Sequence, residues 1–252
     1  MNHLRAATRA VLQQVEERTG RPVQFLRDDG LKVMAALQMA RNGASFHVLR
    51  YRPSDSPVDY LIAHQAAFIL RLYENEPARR FDFSPEDSAT ALMESLIPAG
   101  RPLAGSDAEA LPEFAKFTAQ WALINLRSLP VGMRVDAWIA ETLPDLRDLQ
   151  RASLEAQQQE NVAALSYRRG GLALPRPTIA LVAAFAQFVD RLYASTRFAV
   201  PYGAAGLGDQ GAELLGAWDA IDAAATHDVE LIDRWAALCG LAGHYSWIPF
   251  RP

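Results

Sequence analysis

Leu4, Ala7, Val11, Leu12 and Val15 recur at helical spacing, and Gly20 follows as a stop. The chain therefore opens with an amphipathic helix. "RPVQFLRDDG" then reads as a short strand. "LKVMAALQMA" and "SFHVLRYRP" flank Asn42-Gly43, two residues that tolerate the positive φ of a type I′ hairpin turn. The Ala- and Leu-rich first arm fits a helix as well as a strand. In the second arm Phe46, Val48 and Arg50 alternate with His47, Leu49 and Tyr51, as in a half-buried strand. Ser56 and Pro57 have the chemistry of a helix start, and Pro77 ends the helix that follows. "SPED" at 84–87 resembles a capping box before "EDSATALMESLI".

Beyond a Pro- and Gly-rich stretch at 98–112, nearly every segment has helical periodicity. "EFAKFTAQWALINLRSL" predicts one helix. Pro130-x-Gly132 predicts a corner, and "GMRVDAWIAETL" a second helix ended by Pro144. "DLRDLQRASLEAQQQENVAALSYRR" predicts a long helix ended by Gly170-Gly171. "RPTIALVAAFAQFVDRLYAS" is the most apolar segment, "FAVPYGAAGLGDQG" reads as a loop, and "GAELLGAWDAIDAAA" and "HDVELIDRWAALCG" complete the set. The expected fold is α+β and predominantly α-helical. A small α+β portion with a strand hairpin spans 1–97, a linker or long loop 98–112, and a bundle-like helical portion packed on the first spans 113–252.

Composition narrows the functional classes. The 252 residues are 50% hydrophobic and 21% charged, enough to bury a core without disulfide or metal staples. A formal charge of -4 disfavours nucleic acid, unless Arg127, Arg134, Arg147, Arg168, Arg169 and Arg176 share one face. The lone Cys239 cannot form an internal disulfide and suits a reducing cytoplasm. Lys32 and Lys116 are the only lysines beside abundant arginine, which reads as a bacterial coding bias. The start of the chain has no long apolar run of the secretory type. The "TIALVAAFAQFV" stretch is shorter than the roughly 20 residues of a membrane span, so no membrane association is expected.

The densest chemical signal is "DYLIAHQAAFILRLYENEP", residues 59–77. On a helix, Val58, Leu61, Ile62, Phe68, Ile69 and Leu72 form one face, with Gln65 near its centre and His64 about 100° away. "YLIAHQAAFILRLYE" resembles the metal-binding helix of zincin metallopeptidases of the ImmA/IrrE-like group. The order of helix, short strands with a hairpin, and this helix is similar too, over roughly residues 1–80. The resemblance implies that His64 stands at the first zinc-ligand position. Phe68 replaces the second ligand and Gln65 the general base, and a neutral amide cannot take a proton from water. The family also expects a ligand on the next helix, where Glu94 is the carboxylate. No metal or other cofactor is expected.

Other constellations carry structural and functional readings side by side. His227-Asp228 has the letters of a phosphohydrolase dyad, but Asp228 also suits a helix start. His227, Asp228 and His244 form a second candidate cluster if the fold gathers them. Cys239 on an apolar helix end reads as a buried small hydrophobe. Gly206, Gly208 and Gly211 match G-x-G-x-x-G without a parallel-sheet context, which favours a helix-entry loop. Arg127, Arg134, Asp136 and Arg147 around the Pro130 corner either lock a helix junction or bind an acidic partner. Tyr245 and Trp247 in "HYSWIPFRP" either cover a core edge or anchor a partner. The leading expectation is a non-catalytic cytoplasmic bacterial protein of interaction or regulation with a protein partner, on a degenerate metallopeptidase-like scaffold. The alternative is a hydrolase with a non-standard site around His64, Gln65 and Glu94.

Overall fold

A computed structural model describes residues 4–31, 33–52, 58–97, 105–169 and 171–252, with the backbone alone at 105–108. The expected cap at Ser56 and Pro57, the first half of the 98–112 linker, Lys32 and Gly170 lie outside the described residues. The fold is α+β and 64% helical. It divides into two compact units that interleave along the chain. The first unit comprises Met1–Asp82, Arg134–Ala156 and Pro249–Pro252, the second Phe83–Met133 and Gln157–Ile248. The sequence suggests a single division at 98–112.

In the first unit, α1 (Ala6–Thr19) stops at Gly20, as its spacing predicts. Strands β1 (Val23–Arg27), β2 (Ala35–Gln38) and β3 (His47–Tyr51) form a sheet of order β1-β3-β2. β2 and β3 are antiparallel with Leu37 opposite Leu49, and β1 runs parallel to β3 with Phe25 opposite Leu49. The ambiguous first arm is thus a strand. Asn42 (φ 51) and Gly43 (φ 81) supply the left-handed turn residues.

Helix α2 (Val58–Glu74) packs Ala66, Ile69, Leu70 and Tyr73 against Val11 and Val15 of α1, with Phe250 closing the cluster. Tyr60, Leu61, Ala63 and Ala67 pack on Val135, Ile139 and Leu146. The buried face is therefore centred on small alanines, while Gln65, Phe68 and Leu72 are only half-buried. This moves Gln65 away from the centre predicted for it. Alanines weigh little in a hydrophobic pattern, yet they let α1 approach closely. Each large apolar side chain buried here contributes about 1.5–3 kcal/mol.

His47 is fully buried in this unit. Its Nδ1 accepts from the Ala40 N–H at 3.0 Å, and its Nε2 lies 3.2 Å from Thr19 Oγ1. The ring is therefore neutral with its proton on Nε2. Burial, and then the charge of Arg21, push its pKa down to about 4. The unfolded chain takes up a proton near pH 6.5 that the native ring refuses. Stability present above pH 6.5 is thus expected to fall as pH drops toward 4, by up to about 3 kcal/mol. Urea unfolding of the wild type and His47→Gln across that window checks this: the variant should lack this component of the pH dependence.

In the second unit, α3 (Ser88–Leu96) follows a strand the sequence did not signal, β4 (Phe81–Pro85). Ser84 belongs to that strand and not to a cap, and Asp87 flanks the helix without a side-chain cap bond. Helix α4 (Gly105–Thr142) is continuous through both Pro112 and Pro130. The predicted corner is absent, and the later half of the predicted linker is helix. Its C-terminal residues from Arg134 onward belong to the first unit. Helix α5 (Arg147–Val162) ends earlier than predicted and leads to a hairpin of β5 (Arg168–Arg169) and β6 (Leu172–Ala173).

Helix α6 (Arg176–Leu192) is buried along most of its length, as its composition predicts. The predicted loop after it contains a short helix, α7 (Val200–Ala204). The Asp190 carboxylate accepts the N–H groups of Phe198 (3.1 Å) and Ala199 (2.7 Å) and the Ser195 hydroxyl, fixing that turn. Helix α8 (Gly208–Ala220) packs on α6, and α9 (Asp228–Leu238) buries Trp235 completely. Strand β7 (Tyr245–Pro249) pairs with β4. No helix among the described residues is long and apolar enough to cross a membrane.

Candidate functional site

Residues four apart on a helix are neighbours, so α2 stacks Tyr60, His64 and Phe68 along one side. The ring centroid of His64 lies 5.5 Å from that of Tyr60 and 5.3 Å from that of Phe68. Asp136 on α4 meets this row. The Tyr60 hydroxyl donates to Asp136 Oδ1 at 2.7 Å. Gln150 Nε2, from α5, donates to the Asp136 backbone carbonyl at 2.8 Å and to Oδ1 at 3.1 Å. His64 Nε2 stands 3.8 Å from the same oxygen. That separation is a Coulombic approach, not a hydrogen bond.

Asp136 is only 2% exposed. Burial raises its pKa, opposed by His64 and by the hydrogen bonds from Tyr60 and Gln150. The carboxylate is thus occupied by two donors inside the first unit. This makes it a centre of order more than a base open to substrate. Phe68 fills the second-ligand position with an apolar ring edge against His64. Among the described residues no three His, Cys, Asp or Glu side chains converge as a metal site.

The remaining sequence candidates are distributed. Gln65 is half-buried on α2, and Glu94 is exposed on α3 of the second unit. Arg127 is exposed, Arg134 is buried at 3% exposure, and Arg147 is exposed at the start of α5. The six arginines therefore do not share one surface, since Arg134 is interior. Arg169 pairs with Glu113 at 3.1 Å, and Arg176 donates to the Gly206 carbonyl at 2.7 Å. The Tyr245 hydroxyl and the Trp247 indole both donate to Asp233, at 2.6 and 2.9 Å, and Phe83 stacks on Tyr245 at 4.4 Å. Both rings are thereby held within the chain.

His227 pairs with Glu230 at 2.8 Å in the first turn of α9, which Asp228 opens. His244 Nδ1 lies 3.0 Å from Ser88 Oγ. Burial, and then Glu213, push the Cys239 thiol up to about 12, so it is no nucleophile at neutral pH. Gly208 opens α8, and Gly211 packs against the backbone of α6.

A feature that the sequence motifs do not mark lies on α4 before Pro130. Phe117 (42% exposed) and Ile124 (62%) stand two turns apart on one face, with half-buried Trp121 at their edge. Tyr167, 40% exposed, extends the patch: its ring lies 6.0 Å from Phe117 and stacks on the buried Phe114 at 6.2 Å. The sequence does carry a signal for it. "FAKFTAQWALI" is apolar on more than one face, the pattern of a helix covered on both sides. The charged residues on the exposed face are Glu113 near one end, Arg127 near the other and Lys116 at its margin. No protein-family model, no curated protein and no solved structure matches the chain.

Proposed function

We propose that the chain is a non-catalytic interaction protein whose contact surface is the Phe117–Ile124–Tyr167 patch. The exposure of these three side chains in one apolar stripe is the observation that carries the reading. Isolated surface hydrophobes are ordinary, but contiguous aromatic and aliphatic groups at helical spacing are the usual form of a protein-binding face. The polar cluster at His64 supports the same reading from the other side. Its carboxylate is spent on internal donors, which suits a scaffold that keeps the first ligand position of a metallopeptidase helix without its chemistry. A hydrolase around His64 draws on the same 3.8 Å approach of Asp136, and is the weaker reading because that oxygen already accepts from Tyr60 and Gln150.

The test is a photo-crosslinking amino acid at Gln120, exposed between Phe117 and Ile124, with Gln14 on α1 as the control site. In cells carrying the gene, irradiation should give a discrete crosslinked protein band from position 120 and none from 14. Equal background at both positions would overturn the reading.

A further inference from the structure

The order of residues along the α4 stripe is close to palindromic. Glu113, Phe117, Gln120, Trp121, Ile124 and Arg127 follow one another on the exposed side. An anion stands at the N-terminal end and a cation at the C-terminal end, and the apolar pair is symmetric about a point between Gln120 and Trp121. We infer that this stripe is the seam of a homodimer, in which α4 of one copy lies antiparallel on α4 of a second. This rests on the preceding reading and names its partner.

A two-fold axis near residues 120–121 sets each Phe117 opposite the other copy's Ile124 and each Glu113 opposite the other copy's Arg127. A seam of this kind is isologous, the commonest symmetry among soluble oligomers. Both ends then satisfy their charge in the same register that buries the apolar pair. In a parallel pair, by contrast, like charges would meet at each end. Lys116 lies about 100° round the helix from Phe117, outside the seam. Tyr167 from the β5–β6 hairpin widens the contact beside Phe117. Arg169, bound to Glu113 at 3.1 Å, already holds that carboxylate on the exposed side.

The stripe from Glu113 to Ser128 spans about 24 Å of helix. A contact of that length lies near the lower bound for a specific interface, about 1,200 Å² in total. A weak pair is therefore expected, with a Kd on the order of 10 μM.

Sedimentation velocity of the full chain between about 1 and 100 μM reads the outcome at this weak affinity. The wild type should pass from monomer to dimer. Glu113→Arg and Arg127→Glu should each weaken the dimer about tenfold or more, because each sets like charges opposite one another. An equimolar mixture of the two variants should dimerise again, since both ends then pair opposite charges. Circular dichroism and thermal unfolding of each variant confirm that the fold is kept. A chain that stays monomeric throughout overturns the inference, as does a dimer indifferent to the charge swaps. If the crosslinker at Gln120 then captures a different protein, the proposed function stands and only the self-pairing fails. If it captures nothing, both fail.

Discussion

Asp136→Ala is expected to lower folding stability by about 2–4 kcal/mol, while Asp136→Asn should cost under about 1 kcal/mol at neutral pH. Alanine removes the acceptor of the Tyr60 hydroxyl and of Gln150 Nε2 and leaves buried donors unpaired. An amide oxygen at the Oδ1 position keeps both bonds. The pH dependence separates charge from packing. Burial holds the native carboxyl above its ordinary range, so the native state keeps a proton that the unfolded chain has lost. The cost of ionising Asp136 is absent at low pH and grows as pH rises from about 4 through the raised native value. The asparagine variant carries no such cost. Its stability relative to the wild type should therefore improve steadily as pH rises over that window. Urea unfolding of the three proteins between about pH 4 and 8 measures this. A flat difference between the wild type and Asp136→Asn, or an alanine variant of near wild-type stability, would show that the network does not order this part of the fold.

The same cluster shows what spacing in a sequence can and cannot reveal. A metallopeptidase frame looks forward from His64 to the fourth residue on, and finds Phe68. The residue that matters lies one turn back: Tyr60 reaches Asp136 from the same side of α2. Its partners come from α4 and α5, far along the chain, and no periodicity within one helix signals them. Local signals were reliable where local physics decides. Asn42-Gly43 sets the hairpin turn, Gly20 stops α1, and the apolar run of α6 is buried.

They failed where packing outweighs propensity. A proline inside a helix costs about 3 kcal/mol, which argues for a corner at Pro130. Leu126, Leu129, Val131 and Met133 are buried around it, and the Trp218 indole donates to the Pro130 carbonyl at 3.0 Å. Burial of several large side chains offsets one lost hydrogen bond. β4 and β7 were invisible for a related reason. Each is short, and each gains its backbone partners from a strand far away in sequence.

The three glycines of the G-x-G-x-x-G match are expected to respond differently to alanine, in a pattern no phosphate-binding loop would give. Gly211→Ala should be the most damaging, at about 1–3 kcal/mol. A methyl group there would meet Gln187 Nε2 at 2.9 Å, the Ala183 carbonyl carbon at 3.1 Å and the Ala184 nitrogen at 3.2 Å. The glutamine end can swing away only by giving up its 2.8 Å bond to the Gly208 carbonyl, and the two backbone atoms can move only if α6 and α8 separate. Gly206→Ala should cost about 1 kcal/mol, because φ is +72° there and the space around it is open. Gly208→Ala should be close to neutral, since its nearest neighbour would be the Gly203 Cα at an ordinary 3.5 Å and the position opens a helix. Thermal and urea unfolding of the three variants ranks them. The order 211, then 206, then 208 makes the motif a device for close helix packing. Three equal and small effects on folding would remove the packing argument, and with it the structural reason for a glycine at position 211.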